Sequence, residues 1–113
     1  MQKKYRLTSN ASFNYIYRKG ERVGTKLFTL FRVPASNLKA GISVSTKVGN
    51  SVIRHRVKRR IGERFRLLIP NICPNNNFVI VAKDAAKDAS SGEFEKELIF
   101  ALKKLHAFTA TNG

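Results

Sequence analysis

Acidic side chains are scarce in this sequence: seven Asp and Glu stand against 22 Lys and Arg among 113 residues, a formal net charge of +15. Cysteine is nearly absent. Cys73 alone cannot form an internal disulfide, and without clustered histidines it reads as a small side chain in a reducing cytoplasm. No run of eighteen apolar residues occurs, so no segment is expected to span a membrane. The opening MQKKYRLTSNAS is basic but no apolar stretch follows it, so no secretory signal is expected. There is no glycine-rich phosphate loop with its lysine, and no metal-ligand spacing. His55 and His106 lie far apart, and most acids fall in the last third of the chain. A catalytic constellation and a dedicated metal site are therefore not expected.

What is present is apolar bulk and unbalanced positive charge. A hydrophobic fraction of 42% with eight Phe is enough for one compact core, so residues 1–113 are expected to form a single domain. Of the 22 Lys and Arg, 18 fall in residues 1–83, where Glu21 and Glu63 are the only acids. Residues 84–113 carry four Lys against five acids. Such a concentration of like charge repels itself unless a polyanion relieves it, and nucleic acid is the expected partner.

Residues 1–8 read as a mobile basic arm. Ser9 and Asn10 offer N-cap chemistry for a short helix whose stripe is Phe13, Ile16 and Tyr17, with Gly20 as its C′ stop. Residues 22–33 (RVGTKLFTLFRV) read as one strand, with Phe28 and Leu30 on one face and Phe31 on the other. A turn at 34–39 leads to a second strand, residues 40–46 (AGISVST), expected to pair antiparallel with the first. Gly49 and Asn50 then introduce a long helix over residues 51–69, ended by Pro70. Residues 78–82 (FVIVA) form a continuous apolar run, the mark of a buried strand. A last helix from Ser91 has its stripe at Phe94, Leu98, Leu102 and Leu105. The expected order is α-β-β-α-β-α, a mixed sheet packed against helices, with a β-α-β crossover joining parallel strands.

The tract over residues 47–66 (KVGNSVIRHRVKRRIGERFR) concentrates the charge. On a helix, Ile53, Val57, Ile61 and Leu68 gather within about 80° as a stripe for docking on a sheet. Arg56, Arg59 and Arg66 gather opposite, with Arg60 beside them, while Arg54 and Lys58 share a third edge one turn apart. Arginine offers a planar fork of donors for phosphate oxygens. His55 sits inside this tract and reads as an RNA contact rather than a general base. Phe13, Tyr17 and Phe31 are each compatible with the core. With the Arg54/Lys58 edge they would also form an aromatic floor under a cationic rim, a surface that holds single-stranded nucleic acid.

The pattern Lys47-x-Gly49-Asn50-x-x-x-Arg54-x-Arg56-x-Lys58-Arg59 resembles the signature of the protein subunit of bacterial ribonuclease P. That family carries a K-x-GNAV-x-RNR-x-KR tract after a GLSVSKK-like strand; here the strand reads Gly41-Ile-Ser-Val-Ser-Thr-Lys47. The helix with Phe13 and Gly20, the strand with Phe31, the FVIVAK segment and the last helix follow in the same order. The resemblance implies an α/β (α+β) sandwich with a left-handed β-α-β crossover. It implies a cytoplasmic partnership with a catalytic RNA that uses Mg²⁺ to remove the 5′ leader of precursor tRNA. Carried over by position, Phe13, Tyr17, Phe31, Arg54 and Lys58 would line the leader cleft. Lys47, Asn50, His55, Arg56, Arg59 and Arg60 would complete the RNA-binding surface, with Arg56, Arg59 and Arg60 toward the catalytic RNA. Two positions depart from the family pattern: His55 stands for an Asn and Gly62 for an Arg. The alternatives from residues alone are a small ribosomal or RNA-chaperone protein, and a nuclease acting by itself.

Overall fold

A computed structural model of the protein describes residues 5–109. Helix α1 spans Asn10–Lys19, capped by Ser9, whose side chain accepts the Ser12 N–H. It stops at Gly20 as expected, but not through a left-handed residue: Gly20 has φ −76°. Room is the reason for glycine here. A Cβ would lie 2.6 Å from the Ile16 carbonyl oxygen and 3.1 Å from that of Arg32.

The single strand expected at 22–33 is two. Strands β1 (Glu21–Gly24) and β2 (Phe28–Pro34) pair antiparallel about a turn organised by Thr25. The Thr25 hydroxyl accepts the N–H groups of Leu27 and Phe28, and its own N–H reaches the Phe28 carbonyl at 2.7 Å. These local bonds break a run that propensity alone makes continuous. Strand β3 spans Lys39–Ser43, helix α2 Ser51–Leu68, strand β4 Asn76–Ala82 and helix α3 Ser91–Lys104. Short 3₁₀ turns at Ile69–Asn71 and Asp84–Asp88 flank β4.

The sheet order is β1-β2-β4-β3. β3 and β4 pair parallel across the α2 crossover, as expected. The expected pairing of the second long strand with β3 does not occur, because β4 lies between them, antiparallel to β2. Burial explains the insertion. Phe78, Val79 and Ile80 are fully buried, so β4 needs cover on both faces and both edges, and only the centre of the sheet supplies it. The more polar β3 takes the edge.

Three layers result. Phe28, Leu30, Phe78 and Ile80 face α2 and α3, meeting Val57, Ile61, Phe65, Phe94, Leu98 and Leu102. The opposite face places Phe31, Val33 and Val79 against Leu7 and Ile16 of α1. Phe65 meets Phe78 edge-on with ring centroids 5.8 Å apart. At the start of α3, Ser90 and Glu93 form a reciprocal capping box. Its bonds, first from the Ser90 backbone N–H and then from the Ser90 hydroxyl, hold the Glu93 carboxyl below its ordinary value.

The arm expected at 1–8 lies partly outside the described residues. From Arg6 onward it is laid along the outer edge of β3. Arg6 bridges Ala40 in parallel register, the Leu7 N–H donates to the Ala40 carbonyl at 3.0 Å, and Leu7 is buried. Beside it, the Phe13 ring of α1 rests on Gly41 of β3. A Cβ at Gly41 would overlap the ring tip and lie 2.7 Å from Cε1. Gly41→Ala is expected to destabilise the fold by about 1–3 kcal/mol in urea titration, the usual cost of overpacking. Part of that loss should be recovered when Phe13 is shortened to Leu in the same chain, since contacting sites couple.

Candidate nucleic-acid interface

Helix α2 is set into the molecule by its start. Val48 is buried, and Asn50 caps the helix by accepting the Ile53 N–H at 3.0 Å. Gly49 packs under Ile53, whose Cγ2 would be 2.8 Å from a Cβ at that position. The apolar stripe read from the sequence docks on the sheet, with Phe65 added to it at full burial. Lys47 and Asn50 are exposed in the turn before the helix.

Packing then sorts the cations. Arg54 turns back, its Nε donating to the Gly49 carbonyl at 3.2 Å. Arg60 donates through Nη1 to the Ala89 carbonyl at 3.0 Å, and Arg64 lies 3.6 Å from Glu95 of α3. Arg56, one turn before Arg60, is half-buried with its Nε enclosed. The row at 56, 60 and 64 thus faces α3 and the segment before it. His55, Lys58, Arg59 and Gly62, spaced i, i+3, i+4 and i+7, form another row. That row faces α1, and with Phe13, Arg6 and the middle of β3 it lines a recess of about 360 Å³.

A second recess of about 410 Å³ continues from the first, sharing Phe13 and Ile42 and extending to Asn10, Asn14, Tyr17 and Ser43. Tyr17 stands 38% exposed over the edge of Phe31, ring centroids 5.3 Å apart, and 6.4 Å from Phe13. Phe31 itself is only 7% exposed and belongs to the core on the α1 side of the sheet. Of the aromatics singled out in the sequence, Phe13 and Tyr17 therefore present ring surface while Phe31 supports them. The structure brings Phe13, His55, Lys58 and Arg59 together, and leaves Arg54, Arg56 and Arg60 outside that recess. Arg6 and Gly62 belong to it without having been counted as site residues. Helical angles alone do not find them, because the recess is defined by α1 and by chain laid on the β3 edge.

The groove is cationic because the acids are engaged elsewhere. The ion pairs among the described residues join Arg32 to Glu21 and Arg64 to Glu95, away from both recesses. Glu97 accepts the Leu27 N–H and Glu93 the Ser90 N–H. No three His, Cys, Asp or Glu converge to hold a metal ion among the described residues. Cations left without acid partners beside exposed aromatic faces suit a phosphate backbone with stackable bases. The division between structural and free cations is measurable in urea titrations. Arg60→Ala should cost about 0.5–1.5 kcal/mol of stability through the lost hydrogen bond to Ala89, whereas Arg59→Ala should stay within roughly ±0.5 kcal/mol.

Comparison with known proteins agrees with this arrangement. A family model described as Ribonuclease P matches residues 1–106. A ribonuclease P protein component of Staphylococcus carnosus is 39% identical over 111 residues, covering 96% of each chain. One from Listeria innocua is 39% identical over 106 residues, covering 91% of this chain and 89% of its own. The RNase P protein structure from Staphylococcus aureus superposes with a TM-score of 0.83 at 32% identity, covering 93% of this chain and 98% of that one. The one from Thermotoga maritima, at 21% identity, shares the fold with a TM-score of 0.79 over 88% of this chain and 96% of its own.

Proposed function

The chain belongs to the ribonuclease P protein family of bacteria, and on that premise we propose that it holds the 5′ leader of precursor tRNA in the α1–β3–α2 groove while docking on the RNA that performs the cleavage. The observation that carries this reading is the groove itself. Exposed rings of Phe13 and Tyr17 lie beside Lys58, Arg59 and Arg6, with no carboxylate pairing those cations among the described residues. Aromatic faces accept successive bases regardless of sequence, and the cations track the phosphates. A leader is single-stranded and can be threaded there; a mature tRNA, lacking it, cannot use the groove.

Arg56, Arg60, Lys47 and Asn50 present a different side of α2 and its lead-in turn, which we assign to the catalytic RNA. Chemistry at the scissile phosphate is Mg²⁺-dependent in this reading and belongs to that RNA. The groove offers cationic donors and neutral rings rather than carboxylates, a set that repels a bare divalent ion. No step is therefore routed through a metal held by this chain. The protein contributes position and charge. By neutralising phosphates it lowers the Mg²⁺ that the RNA needs to hold its substrate, and it works in the cytoplasm, where precursor tRNA is made.

Adding the protein to bacterial ribonuclease P RNA at low Mg²⁺ should raise the rate of leader removal; no stimulation would sink the proposal. Tyr17→Ala should weaken leader-bearing tRNA by about 1–3 kcal/mol and leave mature tRNA unchanged in equilibrium binding. Phe31→Ala should instead appear chiefly as lost folding stability, of roughly 3–5 kcal/mol for a buried Phe.

A further inference from the structure

Resting on the RNA-binding reading above, we propose that the recess between α1, β3 and α2 takes one unpaired nucleotide swung out of its strand and reads the base through the open edge of β3. Its volume of about 360 Å³ lies at the low end of the ~300–1,000 Å³ typical of small-molecule sites. That admits a base with its sugar and excludes a helix. Its floor is apolar, built by Leu7, Ala40 and Ile42, and Phe13 forms one wall. The Phe13 ring is fixed against Gly41, so it forms a preset face for stacking rather than a mobile one. At Gly62 the wall has no side chain, and the recess reaches the backbone of α2. His55, Lys58, Arg59 and Arg6 stand around these apolar surfaces, where the flanking phosphates of an extruded nucleotide would pass.

Hydrogen-bond readout comes from the main chain. β3 is an edge strand, bonded to β4 on one side. The Ala40 carbonyl points the other way, where it accepts from Leu7. Backbone groups two residues apart on a strand point the same way, so the N–H and C=O of Ile42 are also turned outward, at a residue that lines the recess. A donor and an acceptor side by side match the donor–acceptor edge of an unpaired base. Stacked A-form duplex cannot offer that edge here, because recognition of RNA bases requires them to be splayed from the helix. Tyr17, by contrast, supplies sequence-tolerant stacking. Both positions at which the chain leaves its family pattern, His55 and Gly62, line this recess.

The test uses the full chain and three RNAs in fluorescence anisotropy: a blunt duplex, the same duplex with one bulged nucleotide, and that bulge made abasic. The bulged duplex should bind roughly tenfold more tightly than the blunt one, a difference of about 1.4 kcal/mol, and the abasic bulge should lose the gain. Gly62→Arg makes the decisive variant. It adds a positive charge while filling the recess, and Arg is a better helix former than Gly. Pure electrostatics therefore predicts tighter binding to every RNA. The proposal predicts unchanged or tighter blunt-duplex binding, which also reports an intact fold, together with loss of the bulge preference. Equal affinity for all three RNAs would overturn the nucleotide site and leave the RNA-binding reading standing. A bulge preference that survives Gly62→Arg would overturn the recess as its location. Failure to bind any of the three would overturn the RNA-binding reading and this proposal with it.

Discussion

The strand Asn76–Ala82 buries Phe78, Val79 and Ile80 completely, and the rest of the molecule is arranged around that requirement. A strand apolar on both faces must be covered on both, so helices lie on each side of the sheet. It must also be flanked on both edges, so the hairpin β1–β2 and the strand β3 close on it from opposite directions. That placement drives the more polar β3 outward. The groove is a product of this arrangement: an edge strand with α1 against one face, α2 against the other, and residues 6 and 7 along its rim.

Charge follows the same division of labour. Helix α2 carries cations on every side except its docking stripe, yet they are not equivalent. The row at 56, 60 and 64 packs toward α3, where a backbone carbonyl and Glu95 receive it. The row at 55, 58 and 59 meets aromatic and strand surface with no acid. Of the seven acids, Glu21 and Glu95 are in ion pairs and Glu93 and Glu97 accept backbone N–H groups. The small acidic complement thus stabilises the fold while leaving the groove positively charged, the condition under which a phosphate backbone gains from binding.

Much of this was legible in the residues. The stripes of α2 and α3, the caps at Ser9 and Asn50, and the buried run of β4 each follow from local periodicity, which the packed structure preserves. The hairpin within residues 22–33 was not legible, because its turn rests on the hydroxyl of Thr25 inside a run rich in β-formers. Nor was the insertion of β4 between β2 and β3, since strand order is decided by tertiary burial. At the site, residue types were legible and their grouping was not. Helical angle put Arg59 with Arg56 and Lys58 with Arg54, whereas α1 and the segment at residues 6 and 7 gather Lys58 and Arg59 with His55 and Gly62. Phe31 carried too little information on its own: at a strand position a core ring and a binding ring look alike until a Tyr17 is seen lying over it.

The strand order also governs how the chain assembles in time. β1, β2 and β3 leave the ribosome before β4, yet neither β2 nor β3 has its neighbour until residue 82 has been made. Until then the hairpin and β3 remain separate pieces, each with an unpaired edge, held apart in sequence by the most cationic stretch of the chain. Sheet closure is consequently a late event of high contact order, slower than the formation of either long helix. For that interval the basic charge of α2 has a second use, keeping nascent chains from joining edge to edge by mutual repulsion.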